Sequence, residues 1–201
     1  MIVVSQVMAL YAELDQQVAR FQLETGLRCP IGCGQCCLGT TLHTTIVEML
    51  PAAWEILRQE AQDYWLGRIE DPPFGPRCVL YQTKSPENTP GHCGFYTWRP
   101  AVCRLFGFAA VSTRDGNQVL AACKTLKDAD PASVASAISL SACAPSFSNV
   151  NTRVCAIDPS SGSRLMPINS ALRQAIHRMG LYRQMARNEK PGNMEDGAGE
   201  I

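Results

Sequence analysis

Histidine is scarce in this chain: His43, His92 and His177 are the 3 in 201 residues, and they lie far apart. Their scatter offers no Ser/His/Asp arrangement, and no carboxylate pair can be assigned from spacing, so conventional hydrolysis gains no support. Net charge is also missing, since 18 Lys and Arg balance 18 Asp and Glu. Bulk electrostatics therefore give no reason to expect a nucleic-acid partner. No stretch approaches the ~18 uncharged apolar residues of a membrane span. The opening Met1-Ile2-Val3-Val4-Ser5-Gln6-Val7 has no basic segment, and Gln6 and Glu13 interrupt its apolar run, a poor signal peptide. The expectation is a cytoplasmic, reducing location with no nucleic acid and no membrane span. A protein partner stays open, its identity unread.

Cysteine, by contrast, is abundant, with 10 in the chain. Four fall within Cys29-Pro30-Ile31-Gly32-Cys33-Gly34-Gln35-Cys36-Cys37. Core packing gives no reason for this density, or for glycine between thiols. Thiolates around a soft metal do: glycine lets the backbone turn so that neighbouring side chains point at one centre. Disulfides are usual in small secreted domains that cannot build a core, and this chain is neither small nor evidently secreted. Further on stand Cys78, Cys93, Cys103 and Cys123. With Cys29, Cys33, Cys36 and Cys37 they make the candidate ligand set, enough for two four-thiolate centres or for one cluster with spare thiols. Cys36 and Cys37 are too close to chelate one ion through a loop, which favours splitting them between centres or roles. Arg28, Arg77, His92, Arg104 and Lys124 are direct neighbours of cysteines and Arg99 lies nearby, cations suited to anionic thiolate centres. Sulfur-only ligation suits Zn²⁺, iron–sulfur or Cu(I) and argues against Mg²⁺ or Ca²⁺. Dispersed cysteines around a compact group favour an iron–sulfur cluster over Zn²⁺.

The apolar positions Val7, Leu10, Tyr11, Leu14, Val18 and Phe21 predict an amphipathic helix over 4–24, closed by Gly26. Thr45-Ile46-Val47-Glu48 has capping-box spacing, Pro51 is expected to break or restart the helix it opens, and a helical stripe continues to about Ile69. Asp71-Pro72-Pro73-Phe74-Gly75-Pro76 predicts a rigid loop. His43 follows the cysteines, but a lone loop histidine is more often solvated or capping than a ligand. Cys78-Val79-Leu80-Tyr81 and Cys93-Gly94-Phe95-Tyr96 predict two strands of a hairpin with a long polar connection. Pro100 is placed as the first residue of a short helix carrying Cys103. A second hairpin is expected from 108–112 and 118–123 around an Asp115-Gly116 turn. Pro131 to Leu140 predicts a short helix, and Cys143 and Cys155 fall in a region of weak predicted structure, as free or accessory thiols. The spacing of Leu172, Ile176, Met179, Tyr182 and Met185 predicts a last helix over 168–187. The expected fold is α+β, a single domain over 1–187. Its small cysteine-rich metal- or cluster-binding core, 27–125, has two short β-hairpins flanked by N-terminal, middle and C-terminal amphipathic helices. Residues 188–201 are expected to be a disordered tail.

The ordered combination Cys29-x₃-Cys33-x₂-Cys36-Cys37, Cys78, Cys93, Arg99-Pro100-Ala101-Val102-Cys103 and Cys123 resembles the YkgJ-type cysteine-cluster family of zinc- or iron-chelating domains. The resemblance implies metal or iron–sulfur binding, in a structural, redox-responsive or cofactor-handling role. Flagellin lysine N-methylases carry a similar cluster, so the alternative is an S-adenosylmethionine-dependent protein lysine methyltransferase. No glycine-rich turn with a placed acidic residue independently supports that cofactor. The C-x₃-C-x₂-C spacing also occurs in radical S-adenosylmethionine enzymes. Here, however, a helix precedes it, Gln35 takes the place of the usual aromatic, and no βα repeat follows.

Overall fold

The stripe Val7, Leu10, Tyr11, Leu14, Val18 and Phe21 forms the inner face of α1, Ile2–Thr25, and all of these side chains are buried. Gly26 ends the helix at φ 73°, a left-handed conformation suited to glycine. The structure is a computed structural model that describes residues 1–29, 33–39, 42–73, 75, 77–83 and 91–188. Parts of the expected cysteine loop, the loop at 71–76, the hairpin connection and the tail over 189–201 lie outside the described residues.

A four-residue helix α2, Gln35–Leu38, carries Cys36 and Cys37, and β1, His43–Thr44, follows. Thr45 then caps α3, Ile46–Arg58, through the anticipated capping box: its hydroxyl accepts the Glu48 N–H while Glu48 accepts the Thr45 N–H. Pro51 does not break this helix. A proline inside a helix costs about 3 kcal/mol, but Leu50, Ala53, Ile56 and Leu57 are all buried. Burial of each large side chain returns about 1.5–3 kcal/mol, which outweighs one lost bond. The break comes later, at Glu60, whose φ is 56°. There Glu60 N–H bonds the Leu57 carbonyl at 3.1 Å and Ala61 N–H the Ile56 carbonyl at 3.0 Å, a Schellman ending with glutamate where glycine is usual.

After α4, Gln62–Glu70, come β2, Tyr81–Gln82, and β3, His92–Cys93, paired antiparallel with Tyr81 opposite Cys93. The expected strands are thus shorter and shifted, since Cys78 precedes a turn and a 3₁₀ turn occupies Tyr96–Trp98. Pro100 is the N-cap of α5, Ala101–Leu105. β4, Ala110–Ser112, and β5, Gln118–Leu120, form the second hairpin, with Gly116 at φ 81° in its turn. Two helices follow, α6 at Lys124–Ala129 and α7 at Pro131–Ser139. The region expected to be weakly structured instead holds a 3₁₀ turn at Ser141–Cys143, α8 at Phe147–Ile157 and α9 at Pro159–Gly162. Val150 and Val154, one turn apart, form the buried face of α8. Finally β6, Met166–Pro167, pairs antiparallel with β1, and α10, Ile168–Asn188, closes the described chain. Asn188, assigned to the tail, therefore ends a helix.

The architecture is α+β: helices dominate, with short antiparallel strand pairs between them. α3 and α10 form the largest helix pair, and their core extends to Val79, Leu80 and Phe95 beside the first hairpin. A second core gathers the inner face of α1 with Leu105, Phe108, Leu126, Val150 and Val154. Among the described residues no helix is long and apolar enough to cross a membrane.

Candidate metal centre

Each candidate thiol is set by a different local device. Cys36 and Cys37 ride on α2, whose Cys37 N–H bonds the Gly34 carbonyl at 2.9 Å. A side chain at Gly34 would collide with the Gly91 carbonyl oxygen and reach 2.8 Å from Tyr81, so glycine here lets the cluster segment lie directly on the β2–β3 hairpin. Cys78 docks on the same segment, its N–H 3.2 Å from the Cys37 carbonyl. Cys93 is in β3, Cys103 in α5, and Cys123 caps α6 with its sulfur accepting the Leu126 N–H at 3.4 Å.

All eight candidates, Cys29, Cys33, Cys36, Cys37, Cys78, Cys93, Cys103 and Cys123, line one cavity of about 610 Å³. Arg99, His92, Asp15 and Tyr96 share its wall. Cys143 and Cys155 are not on it, nor are His43 and His177. Cys37 and Cys78 are buried, Cys29 is exposed and the remaining five are half-buried. Among the described residues no three His, Cys, Asp or Glu groups form a ready-made ion cage; the thiols ring the cavity instead.

Thiol–thiol hydrogen bonding divides the ring electrostatically. The Cys37 thiol has one proton between the neighbouring Cys36 and Cys93 sulfurs, and their proximity, then burial, holds it protonated. Accepting from Cys37, with Arg99 assisting, brings Cys36 down to about 7 against the opposing effect of burial. Cys93 is lowered too, first by its proximity to the protonated Cys37 thiol. Burial pushes Cys78 up to about 12 and raises Cys103 well above the ordinary thiol range. At the rim, partial enclosure and then the neighbouring Cys33 push Cys29 up to about 12. Cys36 is among the charged neighbours of Cys29, Cys37, Cys78, Cys93 and Cys103, which makes it the hub of the ring.

Two positioning residues escaped the sequence reading. Glu48 is 4 % exposed; one carboxylate oxygen serves Thr45 and the other accepts the Ala101 N–H at 3.1 Å, fixing the start of the helix that carries Cys103. The Tyr11 hydroxyl donates to the Glu48 carbonyl at 2.6 Å. Asn169 accepts the Val79 N–H at 3.0 Å and donates to the Arg77 carbonyl at 2.8 Å, bracketing Cys78 from α10. The capping box marked Glu48 as a helix start, but nothing in the sequence signalled its second oxygen's partner. Asn169 carried no signal beyond being a polar residue in the first turn of a helix.

The expected basic halo narrows. Arg28, Arg77 and Lys124 are exposed and off the cavity wall. Arg104 lines the cavity but is fully engaged: it donates to Asp15, to the Thr97 carbonyl and to the Arg99 carbonyl at 3.0 Å, and lies 4.3 Å from the Tyr11 ring centroid. Arg99 is the cation felt by Cys36, Cys93 and Cys103. A wall of thiols faced by a guanidinium fits an anionic thiolate centre of a soft metal.

No curated protein and no solved structure matches the chain. One family does match: it takes in residues 28–130, a span that begins just before Cys29, ends after Cys123 and includes every thiol on the cavity wall. On that match the chain belongs to the CxxCxxCC family, described as "Putative zinc- or iron-chelating domain".

Proposed function

We propose that the cavity holds a thiolate-bound centre, an iron–sulfur cluster in preference to Zn²⁺, with ligands drawn from Cys29, Cys33, Cys36, Cys37, Cys78, Cys93, Cys103 and Cys123. The observation that carries this reading is the single cavity lined by all eight thiols with a guanidinium among them. Zinc sites are typically closed by two compact knuckles; here one compact segment meets single cysteines from a hairpin, α5 and the cap of α6. That dispersal, and thiols in excess of the four one ion takes, favour the cluster. Such a group supplies a redox-active or structural anionic centre. The chain's own residues bind it, enclose it on the Cys37 and Cys78 side, and balance its charge.

The role we assign is structural, redox-responsive or cofactor-handling, in the reducing cytoplasm, within one domain over 1–187. That unity is supported by the contacts of α1 with α3, α5, α7 and α8. Anaerobic purification followed by iron, sulfide and zinc analysis and a visible spectrum tests it. Stoichiometric iron and sulfide with a coloured protein is the expected result. Colourless protein with stoichiometric zinc replaces the cluster by Zn²⁺, and protein free of both overturns the reading. The lysine methyltransferase alternative has no feature of its own in its favour, and tight, specific binding of S-adenosylmethionine would reverse the order.

A further inference from the structure

Two arginines flank the Arg99-Pro100-Ala101-Val102-Cys103-Arg104 segment, and they end in opposite situations. Arg104 has acceptors on all sides: Asp15, Thr97, Arg99 and the Tyr11 face. It cements α5 to α1. Arg99 is only 13 % exposed at its side chain, yet its Nε and Nη1 are both buried and have no hydrogen-bond partner among the described residues. Its nearest carboxylate oxygen, Asp15 Oδ1, stands 4.0 Å from Nη2, beyond hydrogen-bond reach, while Oδ2 of the same group accepts from Arg104. The guanidinium carbon stands over the Tyr96 ring, 3.5 Å from its centroid, which holds the group at the cavity wall. A buried charged donor left unpaired is strongly unfavourable, so its acceptor is to be sought in the space it faces.

We propose that Arg99 is the hydrogen-bond donor of the metal centre, its Nε and Nη1 donating to thiolate sulfur once the centre has formed. This deepens the metal reading and rests on it. Geometry favours several sulfurs over one bound carboxylate. Nε–H and the Nη1 hydrogens leave a guanidinium along different edges, whereas a carboxylate is gripped bidentately along one edge. The cavity wall that Arg99 shares carries Cys36, Cys93 and Cys103, several sulfur acceptors rather than one. On the same wall, His92 Nδ1 is a further buried polar atom with no hydrogen-bond partner among the described residues. Arg99 thus acts as a positioning and charge-balancing residue and is not itself a ligand.

The test uses Co²⁺ as the probe, added anaerobically to full-length metal-free protein, with wild type compared against Arg99→Met and Arg99→Lys. Outer donors to metal ligands are worth about 10–100-fold in affinity, and Arg99→Met should lose that much while keeping its far-UV circular dichroism and thermal midpoint without metal. Its sulfur-to-cobalt charge-transfer band should move to lower energy, because thiolates stripped of N–H donors hold their electrons less tightly. Arg99→Lys, which keeps the charge, should recover part of both. Wild-type affinity and band position in Arg99→Met would overturn the proposal, and so would a loss explained by unfolding of both variants without metal. Wild-type protein that takes up neither Co²⁺ nor iron and sulfide would bring down the metal reading along with it.

Discussion

The inner wall of the cavity and its rim use the same side chain under opposite conditions. On the inner wall Cys37 and Cys78 are buried, linked through their backbones, and backed by Asn169 and the α3–α10 core. At the rim Cys29 is exposed and Cys33 half-buried, and the neighbouring Cys33 helps to keep Cys29 protonated. The difference teaches that the inner thiols are held in place by the surrounding fold, whereas the rim thiols stand towards solvent with fewer supports. Exposure alone does not set reactivity: exposed Cys29 is held as firmly protonated as buried Cys78, whereas half-buried Cys36 is brought down by Cys37 and Arg99.

The sharpest way to break this contrast is substitution. Cys78→Ser should reduce metal affinity by about 100-fold or more, while Cys29→Ser should cost less than about 10-fold. Metal-to-protein ratios after dialysis against a competing chelator read both; equal losses would erase the distinction between wall and rim. Next in size is thiol reactivity in metal-free, reduced protein. With its pKa near 7, Cys36 is about half thiolate at neutral pH, whereas Cys29, near 12, is almost wholly protonated. Iodoacetamide at pH 7 should therefore label Cys36 at least about 30-fold faster, since the greater nucleophilicity of the higher-pKa thiolate recovers only part of its low population. Raising the pH should narrow the gap, and peptide mass spectrometry follows it site by site.

A third measurement addresses the scaffold of the inner wall. Glu48→Ala leaves the Thr45 and Ala101 amides without their acceptor, and urea unfolding of metal-free protein should show a loss of about 2–4 kcal/mol. Glu48→Gln should lose less. The smallest effect lies away from both wall and rim. Asp158 caps α9 and pairs with Arg178 of α10 at 2.7 Å. Its carboxyl is held down to about 2, first by Ser160 and then by Arg178. The folded pKa is below the unfolded one, so this contribution is complete above the ordinary carboxylate range and is lost as pH falls towards 2. Asp158→Asn should remove that part of the acid sensitivity, about 1 kcal/mol or less, in urea midpoints at pH 3 and pH 6, and leave metal content at pH 7 unchanged.

The α+β class, α1, α10, the α3 capping box and the two hairpins were legible because each rests on local periodicity or turn chemistry. The thiols were legible as a group because cysteine at this density has few other uses. What stayed hidden depends on partners distant in sequence. Pro51 reads locally as a breaker and is overruled by the burial around it. Glu60 ends α3 without glycine or proline to announce it. α8 hid within a Ser/Asn-rich stretch, its two buried valines too few to set a period. Nearness in sequence to cysteine made six basic residues look equivalent, whereas the fold leaves Arg99 and His92 on the cavity wall, Arg104 spent on Asp15, and Arg28, Arg77 and Lys124 in solvent.

Because one carboxylate closes the first turns of both α3 and α5, those turns cannot fray independently. Most helix ends open and shut on their own, at little cost and without consequence elsewhere. Here an excursion at Thr45 strips the acceptor from Ala101, 56 residues away in sequence, and with it the anchor of Cys103. The amides of Thr45 and Ala101 should therefore keep a common clock in hydrogen exchange, so that a probe at the start of α3 reports on the integrity of the thiol ring.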